Sequence, residues 1–247
     1  MPHTPYEPVA ARRRGQSVED LYENYLTGHA GEQSMGALEL VLRRDLLPWI
    51  PGARTRCLDL GCGQGGLTAY LRDRGYRESY GVDLSEEQVA HAHGMGRAYV
   101  VKGDVVDFLA ESTGQWGIIT AFDFLEHLPR ELVLPVLRAV HEALDSGGVF
   151  AARVPNGAGP LSGAIQYGDF THESTFTAGS LRQLSNAAGF SKALFAEAPP
   201  VVHGPKSALR RAVWSTYGAV TRVALAAETG RVRGHYVTSN IMAYLTK

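Results

Sequence analysis

The sequence predicts an α/β fold built on a doubly wound, mostly parallel sheet. Three observations predict it. Strand-like and helix-like stretches alternate from Thr55 onward, a glycine-rich turn follows the first of these strands, and an acidic residue ends the second. The 247 residues have the length of one α/β domain, so we expect a single folded domain.

Two segments precede the predicted sheet. Residues 1–16 show little apolar periodicity and carry three consecutive arginines, which predicts a flexible tail. Residues 17–52 predict a helical lid, in which Ser17 caps the first helix and a second helix runs from about Ala37 to Trp49.

The predicted lid carries candidate contacts to a bound molecule. Its first helix has one apolar stripe, and glycines separate it from the second helix, so we expect it to close over ligands. Candidate acceptor-binding side chains on this lid are Tyr22, Tyr25 and His29.

Residues 53–247 form the predicted sheet core, with a helical insertion at 205–228. The predicted strands are 56–60, 78–83, 98–102, 117–122, 148–154, 192–197 and 236–246. The predicted helices lie near 65–74, 85–94, 104–111, 130–144 and 179–189. Three roles remain open for the insertion: contact with a membrane or lipid-linked glycan, cover for the sheet, and a dimer interface.

The first predicted strand runs into Asp59-Leu60-Gly61-Cys62-Gly63-Gln64-Gly65-Gly66. A turn this rich in glycine lets a ligand lie against the backbone. Gly61, Gly63 and Gly66 also match the G-x-G-x-x-G pattern of dinucleotide-binding folds. A carboxylate at Asp59 would repel a pyrophosphate but suits an ammonium group, which favours a different nucleoside cofactor.

Asp83 ends the second predicted strand, in Tyr80-Gly81-Val82-Asp83-Leu84-Ser85. A carboxylate about 20 residues after the glycine turn is placed to accept hydrogen bonds from a ribose diol. The alternative is a strand-end carboxylate that caps the helix beginning near Ser85.

Three further stretches occur in the order found in one known family: Gly103-Asp104-Val105, the segment from Gly117 to Pro129, and Leu144-Asp145-Ser146-Gly147-Gly148. With the glycine turn, they make the sequence resemble the class I S-adenosylmethionine-dependent methyltransferases over roughly residues 40–200. The resemblance implies a Rossmann-like sheet of seven strands with an antiparallel last strand. It also implies S-adenosylmethionine as cofactor.

The resemblance also implies roles for individual residues. The methionine end of the cofactor would contact Asp59, Gly61, Cys62, Gly63 and Gly65, and the ribose would contact Asp83. Leu84, Gln88, Asp104 and Val105 would surround the adenine. Phe122 and Asp123 would lie in the loop beneath the sulfonium.

The candidate catalytic residues follow the fourth and fifth predicted strands. His127 and His172 lie on loops at the carboxyl edge of the sheet, where ligands bind in such folds. We expect His172 to act as general base, oriented by Asp169, and His127 to position the acceptor. For each histidine the alternative is a purely structural role in its loop.

The acceptor is less clearly indicated. Tyr167 lies in the loop that would shape the acceptor pocket. The segment from Asp169 to Phe176, with the helix after it, resembles methyltransferases of bacterial polysaccharide and natural-product pathways more loosely. That likeness implies transfer to a hydroxyl of a sugar or small secondary metabolite.

Composition excludes several partners. A formal charge of −1 gives no global field for nucleic acid. There is neither a membrane-spanning apolar run nor a secretory signal, and Cys57 and Cys62 are placed as reduced thiols, so we expect a cytoplasmic protein. Asp169, His172 and Glu173 do not form a compact ligand set, so we expect no metal. A homodimer is one open arrangement.

Other functions compete with this interpretation. They are N- or carboxyl-methylation of a small molecule, a catalytically silent S-adenosylmethionine-binding protein, and an NAD-binding oxidoreductase. Asp59 and the order of the last strands argue against the oxidoreductase.

Overall fold

The structure, a computed structural model, describes residues 35–50, 52 and 54–247. Its strands are β1 (Cys57–Leu60), β2 (Ser79–Asp83), β3 (Val100–Lys102), β4 (Trp116–Phe122), β5 (Leu144–Pro155), β6 (Lys192–Glu197) and β7 (Asn240–Thr246).

The seven strands form one sheet in the order β3-β2-β1-β4-β5-β7-β6. The pairs β1–β2, β2–β3, β1–β4 and β4–β5 are parallel, whereas β7 runs antiparallel to β5 and β6. The predicted doubly wound, seven-stranded sheet with an antiparallel last strand is confirmed.

Helices connect and cover the strands. Within the described ranges they are α1 (Met35–Asp45), α2 (Gly66–Asp73), α3 (Glu86–Gly94), α4 (Val105–Ala110), α5 (Arg130–Ala143), α6 (Gly163–Gln166), α7 (Ala178–Ala188) and α8 (Pro205–Thr229). Short 3₁₀ helices span Leu47–Trp49 and Leu125–His127.

Side-chain alternation along β1 divides the core between the two faces of the sheet. Leu58 and Leu60 belong to a cluster with residues of α4, α5 and α7, whereas Cys57 packs with residues of α1 and α2. Because successive side chains of a strand point to opposite faces, one strand contributes to both clusters. Both faces are covered, as expected for a parallel sheet.

The last strand begins later than predicted, at Asn240 instead of Tyr236. The backbone groups of residues 236–238 form hydrogen bonds with side chains and not with the backbone of a neighbouring strand. The Asn156 amide donates to the carbonyls of Tyr236 and Thr238, and the amide of Val237 donates to Glu197. These bonds satisfy the backbone at the carboxyl edge without extending the sheet.

The predicted insertion is α8, which packs loosely on the domain. Only Ser207 and Gly218 of its residues are buried, and an ion pair between Arg222 and Glu197 ties it to β6. Its outer face exposes Leu209, Val213, Val220 and Val223. No helix in the described part of the chain is long and apolar enough to cross a membrane.

Part of the predicted lid lies outside the described residues. This holds for the tail at 1–16, for the first lid helix and for Tyr22, Tyr25 and His29. The predicted second lid helix is present as α1 followed by the 3₁₀ turn Leu47–Trp49. The division into tail, lid and core remains a prediction.

Candidate active site

The glycine turn joins β1 to α2 at the carboxyl edge of the sheet. Gly61, Gly63 and Gly65 have φ values of 63°, 53° and 73°, a region that glycine adopts without steric cost. A Cβ at Gly61 would stand 2.6 Å from the Phe124 ring, and one at Gly65 would stand 2.4 Å from Val100. Gly61 and Gly65 therefore require glycine both for conformation and for space, and Gly63 requires it for conformation.

Asp83 locks the turn from the end of β2. Its carboxylate accepts hydrogen bonds from the Gly63 amide at 2.7 Å and the Ser85 amide at 2.9 Å. Ser85 itself caps α3 through its hydroxyl, so the helix does not depend on Asp83 for its cap. A carboxylate offers about four acceptor positions, so two remain for a ligand's hydroxyls.

The residues predicted around an adenine ring lie beside Asp83. Leu84 is 59% exposed and offers an apolar surface. Gln88 of α3 is buried, and its Oε1 has no hydrogen-bond partner. Asp104 caps α4, and the next residue, Val105, is buried. The exposed Leu84 side chain offers a surface for a purine ring, and the unpaired Gln88 Oε1 offers an acceptor for a donor group of the nucleoside.

Asp59 is buried within β1. Its Oδ1 accepts a hydrogen bond of 2.6 Å from the Thr120 hydroxyl on β4. Burial raises the pKa of Asp59 to about 7, an effect that the Thr120 bond reduces and the nearby Asp83 increases. A cation near this carboxylate would favour its ionised form.

Cys62 occupies the turn between the two aspartates. Burial raises the pKa of its thiol, and the nearby Asp59 and Asp83 raise it further. Both cysteines are free thiols, as the sequence predicted.

The loop after β4 connects the glycine turn to the predicted acceptor side. Phe122 ends the strand, and two residues later the Phe124 ring covers Gly61. Asp123, between them, has a φ of 55° and is the one non-glycine residue with positive φ among those that the structure describes. Such strain persists only where the surrounding structure imposes it, and it concentrates at functional sites.

Arg153 of β5 imposes this conformation. Its guanidinium forms a two-point ion pair with Asp123, with 2.9 Å between Nε and Oδ1. The Arg153 carbonyl also accepts from the Asp123 amide at 2.9 Å.

A cavity of about 320 Å³ opens beside this loop. Its lining includes the loop residues Asp123, Glu126 and His127 and the residues Asp169, His172 and Asn240. The structure thus brings together Asp123 and all three residues that the sequence predicted to be catalytic. Tyr167, by contrast, is 88% exposed, and the structure does not test its predicted contact with the acceptor.

His127 and His172 are neighbours in this cavity, with ring centroids 4.7 Å apart. The Nδ1 of His172 lies 3.2 Å from the Gln166 carbonyl oxygen. Since a carbonyl can only accept, Nδ1 is the nitrogen that donates a proton in this contact.

A hydrogen-bond chain sets the tautomer of His127 as well. The Thr171 hydroxyl donates to Asp169 at 2.6 Å, so Thr171 accepts from the His127 Nδ1, which lies 2.9 Å away. Burial lowers the pKa of His127, and the nearby His172 lowers it further. The sequence paired Asp169 with His172, whereas this chain connects it to His127 through Thr171.

Glu126 is the most deeply buried residue of the cavity lining, with 1% of its surface exposed. Its Oε2 has no hydrogen-bond partner. Burial, together with the nearby Asp123, raises the pKa of Glu126 to about 8.

The sequence analysis did not name Glu126, Arg153, Thr171 or Asn240 among the site residues. One signal was available for Arg153: it is a lone charge within the apolar strand Phe150-Ala151-Ala152-Arg153-Val154, where a buried charge needs a partner. No comparable signal marks Asn240, which reaches the cavity because β7 returns antiparallel beside β5.

Comparison with known proteins identifies what the chain is similar to. A family model described as a methyltransferase domain matches residues 34–193. A ubiquinone biosynthesis O-methyltransferase of Xanthomonas oryzae is 35% identical over 101 residues, which are 39% of this chain and 41% of that protein. The chain thus matches about two fifths of the length of these curated relatives.

Solved structures share the fold. A methyltransferase of Archaeoglobus fulgidus superposes with a TM-score of 0.65 at 21% identity, over 92% of this chain and 98% of that one. Phosphoethanolamine N-methyltransferase 2 of Haemonchus contortus, in complex with S-adenosylmethionine, superposes with a TM-score of 0.56 at 15% identity, over 95% of this chain and 60% of that one.

Proposed function

The chain belongs to the methyltransferase-domain family, and from that premise we propose that it transfers the methyl group of S-adenosylmethionine to a hydroxyl of a sugar or another small molecule. The observation that carries the proposal is the cavity in which His127 and His172 meet. It adjoins the loop whose Phe124 ring covers the glycine turn.

The residues in and around the glycine turn fit the cofactor. Asp83 keeps two acceptor positions for ribose hydroxyls, exposed Leu84 offers an apolar surface, and buried Gln88 Oε1 lacks a partner. Asp59 would face the ammonium of the methionine end, and Asp104 with Val105 would meet the adenine. When bound, S-adenosylmethionine supplies a methyl group on a positively charged sulfur, which a nucleophile displaces in line.

The two histidines suit a hydroxyl acceptor because a hydroxyl must lose its proton on methylation. In both rings Nδ1 carries the proton and is held by Gln166 or Thr171, so Nε2 is the nitrogen that can accept one. An amine with a lone pair needs such a group less.

The relatives support transfer to oxygen through their name, ubiquinone biosynthesis O-methyltransferase. A precursor in ubiquinone biosynthesis is therefore the second candidate acceptor. The sugar or secondary-metabolite hydroxyl rests on the looser likeness of the segment after Asp169 to polysaccharide and natural-product enzymes.

A transfer assay with labelled S-adenosylmethionine tests this function. Sugars, phenols and matched compounds bearing an amine or carboxylate in place of the hydroxyl are offered to the full chain. We expect label to enter hydroxyl compounds and the Asp83→Ala variant to lose most of this transfer. Label entering only amines or carboxylates would overturn the proposal. So would intact S-adenosylhomocysteine binding with no transfer to any acceptor, which would indicate a silent binding protein.

A further inference from the structure

Three side chains able to bind a metal ion converge in the cavity. Glu126 and His127 belong to the 3₁₀ turn after β4, and His172 comes from the loop after α6. The ligand atoms that they offer all lie within 4.8 Å of one another. Small side-chain movements would place two nitrogens and one oxygen at about 2.0–2.2 Å from a shared ion, the distance at which these atoms bind zinc.

Glu126 supplies the independent sign of a missing partner. Its carboxylate is buried, and Oε2 receives no hydrogen bond. Burying an unpaired carboxylate oxygen is costly unless a proton or a cation compensates. Asn240 Oδ1, a second buried oxygen without a partner, lines the same cavity.

The surroundings of the two histidines are those of metal ligands. A histidine that binds metal through one ring nitrogen usually donates the other N–H to a backbone carbonyl or carboxylate. His172 Nδ1 faces the Gln166 carbonyl, and His127 Nδ1 reaches Asp169 through the Thr171 hydroxyl. One ring nitrogen of each histidine belongs to the set of ligand atoms that lie within 4.8 Å of one another.

We propose that Glu126, His127 and His172 form a binding site for a divalent first-row transition cation of the Zn²⁺ or Mn²⁺ class. Two imidazoles and one carboxylate match such ions, whereas Mg²⁺ prefers oxygen ligands alone. Three protein ligands leave an open position toward the cavity.

The role of this site rests on the proposed function. The acceptor's hydroxyl oxygen would bind the cation at this open position. Binding would lower the pKa of the hydroxyl, so that the hydroxyl proton leaves to solvent through the open cavity. The two histidines would then act as ligands in place of a general base. The expectation of no metal considered only Asp169, His172 and Glu173, and so did not include the loop after β4.

Metal binding is measured on the full chain after treatment with a chelator and dialysis. Calorimetry follows titration with ZnCl₂ and, separately, MgCl₂, and electron paramagnetic resonance follows MnCl₂. We expect one Zn²⁺ or Mn²⁺ per chain and at least about 100-fold weaker binding of Mg²⁺. The manganese measurement guards against Zn²⁺ binding to the cysteines, because Mn²⁺ prefers nitrogen and oxygen ligands.

The variants Glu126→Gln and His172→Ala should each weaken Mn²⁺ binding at least about 10-fold, as expected for loss of a ligand. His91→Ala, on the exposed surface of α3, is the matched control and should bind like the parent. Binding of S-adenosylhomocysteine by each variant shows that the fold is retained. If a variant fails this check, His172→Gln replaces it.

Three outcomes separate the two proposals. If chelated protein with intact S-adenosylhomocysteine binding takes up neither Zn²⁺ nor Mn²⁺, or if the ligand variants bind as the parent does, the metal site is overturned. Full hydroxyl methylation by metal-free protein would overturn the role of the cation and leave the proposed function standing. Stoichiometric metal binding with methylation of amines only would sustain the site and overturn the proposed function.

Discussion

Asp123 and Arg153 face each other from the ends of neighbouring parallel strands and form a two-point ion pair. The pair holds Asp123 at a φ of 55°. It also links the loop that carries Glu126 and His127 to β5. Arg153, with 14% of its side chain exposed, thus fixes one wall of the cavity and the strained turn beneath the glycine loop.

Replacing Arg153 with methionine should therefore reduce both stability and methyl transfer. Asp123 keeps 38% of its side chain exposed, so the free energy of unfolding should fall by about 2 kcal/mol, between the values for surface and buried pairs. Urea denaturation and the transfer rate check this. Lys192→Met, at an exposed position, is the control. If Arg153→Met matched the parent in both the free energy of unfolding and the transfer rate, the role of the ion pair would be refuted.

Asp83→Ala should weaken S-adenosylhomocysteine binding about 10- to 100-fold, because one or two charge-assisted hydrogen bonds to the ribose are lost. It also frees the Gly63 amide, which loosens the turn. Calorimetry measures the affinity, with Asp73→Ala on the surface of α2 as control. Unchanged affinity in Asp83→Ala would mean that the carboxylate only braces the backbone.

Asp59 should make stability depend on pH in an unusual direction. Its pKa in the folded chain is about 7, above the ordinary 3.8. The folded state therefore holds this proton more tightly, and the contribution of Asp59 to stability falls as pH rises from about 4 to about 7. Asp59→Asn should be more stable than the parent at pH 8 without cofactor, and the difference should vanish near pH 4. A constant difference across this range in urea denaturation would show that Asp59 is ionised throughout.

The histidines should matter for turnover and not for cofactor binding. We expect His127→Ala and His172→Ala to lose about 10²- to 10⁴-fold in rate while S-adenosylhomocysteine affinity stays within a few-fold. Thr171→Val, which keeps the shape but breaks the link between Asp169 and His127, should give a smaller loss. Single-turnover rates separate these effects from binding. If neither alanine variant loses more than a few-fold, the cavity is not where the hydroxyl is activated.

The geometry of the glycine turn and its aspartate was predictable because its signals are local. The glycines at 61, 63 and 65 and the carboxylate of Asp83 follow from the turn at the end of a parallel strand, and the structure places them together through the Gly63–Asp83 bond. The sheet was predictable for a similar reason, since alternating strands and helices leave few parallel topologies.

The acceptor side was predictable only in part. His127 and His172 were placed correctly at one edge, because both follow strands of a parallel sheet. The link from Asp169 to His127, 42 positions away in sequence, depends on how the loop after α6 folds back. Neither the buried Glu126 oxygen nor Asn240 could be assigned before the loops and the antiparallel β7 were in place.

The most direct test of the central claim is the identity of the atom that receives the methyl group. S-adenosylmethionine labelled with carbon-13 in the methyl group is turned over with the best acceptor of the panel, and the product is examined by carbon NMR. The account predicts a methyl resonance typical of oxygen-bound carbon, which is strongly reduced in the Asp83→Ala variant. A resonance typical of nitrogen-bound carbon would contradict it.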